Sequence, residues 1–378
     1  MATTTHIQAR GARRRTFVTI ALVALTAAAS AAVTAAIAPF RSVTVVPAIV
    51  AASPPASSLA TAAVPRQNRS YTYGWPVKPF DRQHPVRGNF GDPRTTFLGP
   101  PTREGLMTGP CACSFHQGID IAAPDGTAVY PVVSGTVSIV TPDWLQVDSD
   151  GSQSFQYWHI GATVGRGDRV EARRTVLGHV LRGSLHVHLT ELRDGDAVNP
   201  LAAGHIGPYA DRTKPRVTAI TFRTSDTGAE LLPEYVHGSV EIVAAAEDAP
   251  AKPVPGVWHG LPISPAKLTF RIERIGPKPV GLVLRETVAA DTTQRLPATP
   301  ILWHTYARGT HMNMPNFGSH RYWFQPGRYL FKLTPEEFDT HRLADGTYRL
   351  TVTASDVAGN GSSASQVFGV HNSPAWLR

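Results

Sequence analysis

A chain of 378 residues exceeds one ordinary domain, and an apolar content of 42% is enough to bury a core, which excludes a wholly disordered protein. Gly and Pro, at 32 each, favour short strands joined by turns over long helices. The formal charge of +8 includes Arg10, Arg13, Arg14 and Arg15 and is +4 without them; no basic run interleaved with aromatics follows, which speaks against a nucleic-acid partner.

The N-terminal arginines precede an apolar run, Phe17 to Leu25, and small residues from Ala27 to Ala32. This order predicts an export signal within residues 1–38. The uncharged stretch continues to Ala38 and is also long enough to cross a bilayer, so a cleaved signal peptide and a retained membrane anchor both fit. Either way the rest of the chain is expected outside the cytoplasm: secreted, associated with the cell wall, or anchored to the cytoplasmic membrane by this segment alone. Residues 39–70, with Ser53-Pro-Pro-Ala-Ser-Ser and few large side chains, read as a flexible linker.

Residues 71–205 are dense in strand signals. Val129–Val133, Gly135–Val140, Trp144–Val147, Phe155–Ile160, Val176–Leu181 and Leu185–Leu192 are apolar or β-branched runs bounded by turn residues. The connections are too short for crossover helices, so a mostly antiparallel sheet is predicted. Three short pieces in this region carry chemistry: His116-Gln-Gly-Ile-Asp120, Tyr157-Trp-His159 and His186-Val-His188. In a strand, residues two apart share a face, so His186 and His188 aim together while Val187 points away. His159, ending a neighbouring strand, can join them. A carboxylate and two imidazoles are a zinc set that leaves a fourth position for water. His-Glu-x-x-His and Gly-x-Ser-x-Gly are both absent, which removes the zincins and the usual serine-hydrolase elbow. Cys111 and Cys113 cannot build a disulfide framework; a bond between them and free thiols both fit the sequence. His179 reads as structural and His205 as an exposed loop residue.

In order, the chain shows Gly88-Asn-Phe-Gly91, His116-Gln-Gly-Ile-Asp120, Gly135-Thr-Val137, Tyr157-Trp-His159, Gly167-Asp-Arg-Val170, His186-Val-His188 and Val198-Asn-Pro200. This succession resembles the M23 (lysostaphin/LytM-type) zinc metallopeptidases, bacterial peptidoglycan endopeptidases with a β-sheet core. The resemblance covers residues 73–205. It implies one Zn2+ held by His116, Asp120 and His188, with His159 and His186 as catalytic histidines. It also implies peptidoglycan peptides of the bacterial cell wall as substrate. The alternative it leaves open is an inactive relative that binds the wall or activates another hydrolase. Before the His-x-His pair, only Leu181-Arg-Gly-Ser184 stands where many members carry a longer glycine-rich loop. Glu191 is expected to support either the ligands or the fold, and Asn89 is a candidate for filling the open metal position in a latent state.

A hinge is predicted at 206–215, followed by an all-β sandwich over 216–373. Val217–Phe222, Leu268–Glu273 and Tyr348–Ala354 alternate as half-buried strands do. The segment from Leu343 to Ala354, with Asp356-Val-Ala-Gly-Asn360, resembles bacterial immunoglobulin-like or fibronectin-like modules. The loop between His311 and His320 offers aromatic and amide groups for a second binding site.

Overall fold

The computed structural model describes residues 72–97, 111–149, 151–299, 301–314 and 326–372. The predicted export signal and linker lie outside the described residues, as does His320 with most of its loop. Among the described residues no helix is long and apolar enough to cross a membrane.

The fold is all-β. Its first part comprises β1 (Val86–Gly88), β2 (Pro93–Phe97), β3 (Cys111–Phe115), β4 (Ile119–Ala122), β5 (Ala128–Val129), β6 (Gly135–Val140) and β7 (Trp144–Asp148). It continues with β8 (Gln153–Trp158), β9 (Ile160–Ala162), β10 (Arg169–Val170), β11 (Gly178–Val180), β12 (His186–Arg193) and β13 (Asp196–Val198). The main sheet runs β1-β4-β12-β8-β7-β6-β10, with β13 against β12, and its pairs are antiparallel. The run predicted to reach Val133 stops at Val129, since Pro131 has no N–H for a ladder. Asp194 and Gly195 both have positive φ, as a two-residue hairpin turn requires, and fold β13 back on β12.

Period-two alternation divides the sheet into a dry face and a working face. Ile119, Ile121, Leu145, Val147, Phe155, Tyr157, Val187 and Leu189 all point into one core with Trp75 and Phe90. Each such side chain contributes roughly 1.5–3 kcal/mol by leaving water. Asp120, Trp144, Gln156, Trp158, His186, His188 and Thr190 take the intervening positions.

Glu191 falls on the dry face, opposite the histidines, and is fully buried. It accepts hydrogen bonds from the Tyr73 hydroxyl, Gln153 Nε2 at 2.9 Å, Arg193 Nε at 2.8 Å and His205 Nδ1 at 2.6 Å. It therefore supports the fold, pinning the chain end at His205 to the sheet. His205 is half-buried in this network and is not an exposed loop residue. His179 reverses expectation in the other direction: it faces solvent on β11, between buried Gly178 and Val180.

The second part comprises β14 (Arg216–Thr224), β15 (Glu230–Leu231), β16 (Ser239–Glu247), β17 (Lys267–Gly276), β18 (Gly281–Asp291), β19 (Leu330–Lys332), β20 (Phe338–Asp339), β21 (Gly346–Ser355) and β22 (Gly361–Val370). One sheet runs β15-β14-β16-β19 with β20 on β16, and the other runs β18-β17-β21-β22. Phe222, Ile242, Phe270, Tyr348 and Phe368 meet in the core they share, making a two-sheet sandwich.

Both parts belong to one compact unit. Phe115, at the end of β3, packs into the sandwich core rather than its own. Ser264 N–H donates to Asp92 at 3.1 Å, the Tyr306 hydroxyl to the Gly91 carbonyl at 3.0 Å, and Met312 N–H to Thr95 at 2.9 Å. Segment 206–215 is bonded on both sides: Trp75 Nε1 donates to the Pro208 carbonyl at 3.0 Å, and Asn360 Nδ2 to the Asp211 carbonyl at 3.1 Å. Cys111 and Cys113 are joined to each other.

Candidate metal centre

The sheet register assembles the site. β12 and β4 pair so that His188 stands directly opposite Asp120, and β8 brings Trp158 opposite His188 from the other side. His116 precedes β4 by a tight turn at Gly118. A Cβ on Gly118 would come within 2.3 Å of the Leu189 carbonyl and 2.8 Å of His188 Nε2, so glycine is what lets His116 and β12 approach.

His116 Nε2 lies 2.7 Å from His188 Nδ1 and 3.0 Å from Asp120 Oδ1, and His188 Nδ1 lies 3.1 Å from that same oxygen. These three atoms form a group that could hold a metal ion. The outward nitrogens have partners of their own. His116 Nδ1 donates to the Asn89 carbonyl at 2.7 Å, which fixes its tautomer, and His188 Nε2 pairs with Thr190 Oγ1 at 2.8 Å, a hydroxyl able to accept its proton. With the proton on its outer nitrogen, each imidazole turns a lone pair inward, toward a carboxylate oxygen. Two lone pairs and an anion repel at such distances unless a cation lies among them. Zinc bond lengths of about 2.0–2.2 Å reach all three atoms from one point, so the donor set fits that ion.

Electrostatics agree. Burial, aided by the Arg94 charge, lowers the His116 imidazole to about 3, which leaves it neutral. Burial alone would raise the Asp120 carboxyl, but the group is held well below its ordinary value, with Arg94 the standing positive charge beside it. Arg94 Nη2 donates to Asp120 Oδ2 at 2.7 Å and so turns Oδ1 toward the imidazoles.

His186 and His159 stand beside this group, their rings 4.5 Å apart. Burial depresses His186 to about 3 and also lowers His159. His186 Nδ1 donates to the Ser184 carbonyl at 2.6 Å, leaving Nε2 as the acceptor, 3.5 Å from Asp120 Oδ1. Arg87 Nη2 lies against the ring, 2.7 Å from Nδ1 and 3.1 Å from Nε2. His159 corrects the sequence reading of one strand from Phe155 to Ile160. Phe155 and Tyr157 face the dry core, and a regular strand would send His159 after them. The chain instead takes φ of +63° at His159, between β8 and β9, which returns the ring to the working face.

The group opens into a cleft of about 620 Å³. Arg87, Arg94, Gln156 and Trp158 line it from the main-sheet side, and Trp258, Met312, Asn313 and Tyr329 from the sandwich. The Trp258 ring lies 3.9 Å from the Arg87 guanidinium carbon. Part of the loop expected to form a second site is thus a wall of the first. Asn89 turns its Nδ2 to the Ser264 carbonyl at 3.3 Å, while its Oδ1 is buried and meets no donor among the described residues. Sequence reasoning did not single out Arg87, Arg94, Thr190, Trp258 or Tyr329. Thr190 was within reach, lying two positions beyond His188 on one strand face. Trp258 and Tyr329 carry no local signal, because only tertiary packing brings them here.

Comparison with known proteins locates the same region. Residues 114–200 match the model of Peptidase family M23. No curated protein matches the chain. Among solved structures it is similar to the SpoIIQ–SpoIIIAH pore-forming complex, at 25% identity over 36% of this chain and 92% of that one, with a TM-score of 0.27. It is also similar to a zinc-containing peptidase from Vibrio cholerae, at 21% identity over 34% and 39% of the two chains, with a TM-score of 0.25. For LytU the identity is 22% over 32% and 85%, with a TM-score of 0.24. The stretch that matches the family model contains His116, Asp120, His159, His186 and His188.

Proposed function

We propose that this protein is an exported zinc metalloendopeptidase that hydrolyses peptide bonds in peptidoglycan. One observation carries the reading: two inward lone pairs and a carboxylate converge beside two further neutral imidazoles, inside a cleft, within the M23-matching segment. His116, Asp120 and His188 are the proposed ligands, and His159 and His186 the proposed catalytic groups. Bound zinc supplies Lewis acidity and brings the acidity of water toward neutral pH.

The chain's own groups do the rest. His186 keeps Nε2 unprotonated through its bond to Ser184 and is placed to accept a proton there. His159, held on the working face by its left-handed backbone, is placed to donate to or stabilise developing negative charge on a peptide carbonyl. Trp158 and the sandwich wall position the peptide and exclude water. We read residues 71–205 as the peptidase domain and 216–373 as an immunoglobulin- or fibronectin-like domain. The strand order and the bond from the Tyr348 hydroxyl to the Ala344 carbonyl at 2.6 Å support the latter.

The test digests purified peptidoglycan with the full chain, with a chelated sample and with His188→Ala. Release of muropeptides by the untreated protein only, with zinc found by metal analysis, is the expected result. A zinc-loaded protein that releases nothing would sink the enzyme reading in favour of a wall-binding role.

A further inference from the structure

A second acidic cluster lies away from the cleft, where the segment leaving the first sheet system meets the sandwich. Asp211 lies in that segment, Asp248 directly follows β16, and Asp356 opens the turn between β21 and β22. One ligand atom from each lies within 4.8 Å of the others. Asp248 and Asp356 are each 4% exposed, so water does little to separate their charges.

Among the described residues, neutral groups alone donate to them. Asp211 receives the Tyr209 hydroxyl at 3.2 Å, the Thr213 N–H at 2.8 Å and the Thr213 hydroxyl at 2.5 Å. Asp248 Oδ1 receives the Ala249 N–H at 2.8 Å, and Asp356 receives the Asn360 N–H at 2.8 Å and its Nδ2 at 2.6 Å. None of the ion pairs among the described residues involves any of the three. The second oxygen of Asp248 stands apart from these bonds: Oδ2 is buried and no donor reaches it. A buried, unpartnered carboxylate oxygen is costly, and here it belongs to the residue whose neighbours are two more carboxylates. Burial, reinforced by Asp211 and Asp356, pushes the Asp248 carboxyl up to about 8, and burial also raises Asp356.

We propose that Asp211, Asp248 and Asp356 form a calcium site that ties the connecting segment to the sandwich. The donors are oxygens only, which suits a hard cation and not zinc. Calcium–oxygen distances of about 2.3–2.6 Å let ligands stand up to about 5 Å apart across the ion, whereas magnesium needs a tighter octahedron. The ion would also hold the cleft's far wall. Asp248 pairs with Ile263 through backbone bonds of 2.8 and 2.9 Å, and the next residue, Ser264, bonds to Asp92 beside the cleft.

The test uses the full chain stripped of metal and reloaded with one equivalent of zinc. Adding 1 mM Ca2+ is expected to raise the melting temperature by about 5 °C. Tb3+, used as a probe, is expected to luminesce through Tyr209 and to be displaced by Ca2+. Both responses should vanish in Asp248→Asn and persist in His188→Ala. If Asp248→Asn does not fold, Asp211→Asn on the half-buried segment serves the same comparison. Equal responses in wild type and the aspartate variants, or their loss in His188→Ala, overturn the proposal.

Discussion

Single atoms decide how the site works. Thr190 Oγ1 holds the outer nitrogen of His188, and without it the ring is free to turn and to change tautomer. Thr190→Val is therefore expected to weaken zinc affinity about 10–100-fold, read by competition with a chromophoric chelator, while the fold stays intact. Glu191 works on the opposite face, through stability. Burial pushes its carboxyl up, but the bonds from His205, Tyr73 and Arg193 outweigh that and hold it below its ordinary 4.5. A carboxyl depressed in the folded state stabilises fully above its unfolded value, and that contribution disappears as pH falls through the depressed one. Urea midpoints should thus decline on acidification below about pH 4.5, and Glu191→Gln should flatten the decline. Glu191→Ala, which strands several donors, is expected to cost about 3–5 kcal/mol at neutral pH.

At the scale of elements, β12 is the organising strand, with imidazoles on one side and core on the other. Gly118→Ala tests how closely the His116 turn must approach it. The added Cβ would meet the Leu189 backbone, which cannot step aside within a paired strand, so a loss of about 1–3 kcal/mol is expected by thermal denaturation. Metal affinity should fall with it, since the same Cβ reaches His188. The strand pattern of β6, β7 and β12 was readable because alternation there is regular and turn residues bound it. The His-x-His pair was readable for the same reason. His159 was not, in detail: its place in the site depends on a left-handed backbone that breaks the alternation. Glu191 was ambiguous until its face was known, for it lies an odd number of residues from His186 and His188. Trp258 and Tyr329 of the sandwich wall were invisible, and the loop after His311 was read as a separate site, because no periodicity announces which loop of one sheet system will cover another.

For the whole molecule, that wall makes the cleft a joint product of both sheet systems. Trp258→Ala removes a ring stacked on Arg87 without touching any proposed ligand. It is expected to raise KM for wall peptides with zinc content unchanged, as separate peptide-release and metal measurements would show. Phe115→Ala tests the joint itself, because this side chain leaves β3 to pack in the sandwich core one residue before His116. A loss of about 3–5 kcal/mol is expected in urea denaturation. The sandwich then has a structural reason to accompany the candidate metal centre, beyond any task of its own.

The bond between Thr95 and Met312 spans 217 residues, and that between Asn89 and Ser264 spans 175. Contacts so distant along a chain close slowly, after local pairs have formed. Synthesis adds a further delay, since residues 258–329 leave the ribosome well after the histidines. A newly made chain thus holds its proposed metal ligands before the later wall of the cleft is available. The part of the protein that carries the proposed catalytic side chains is made early and finished late.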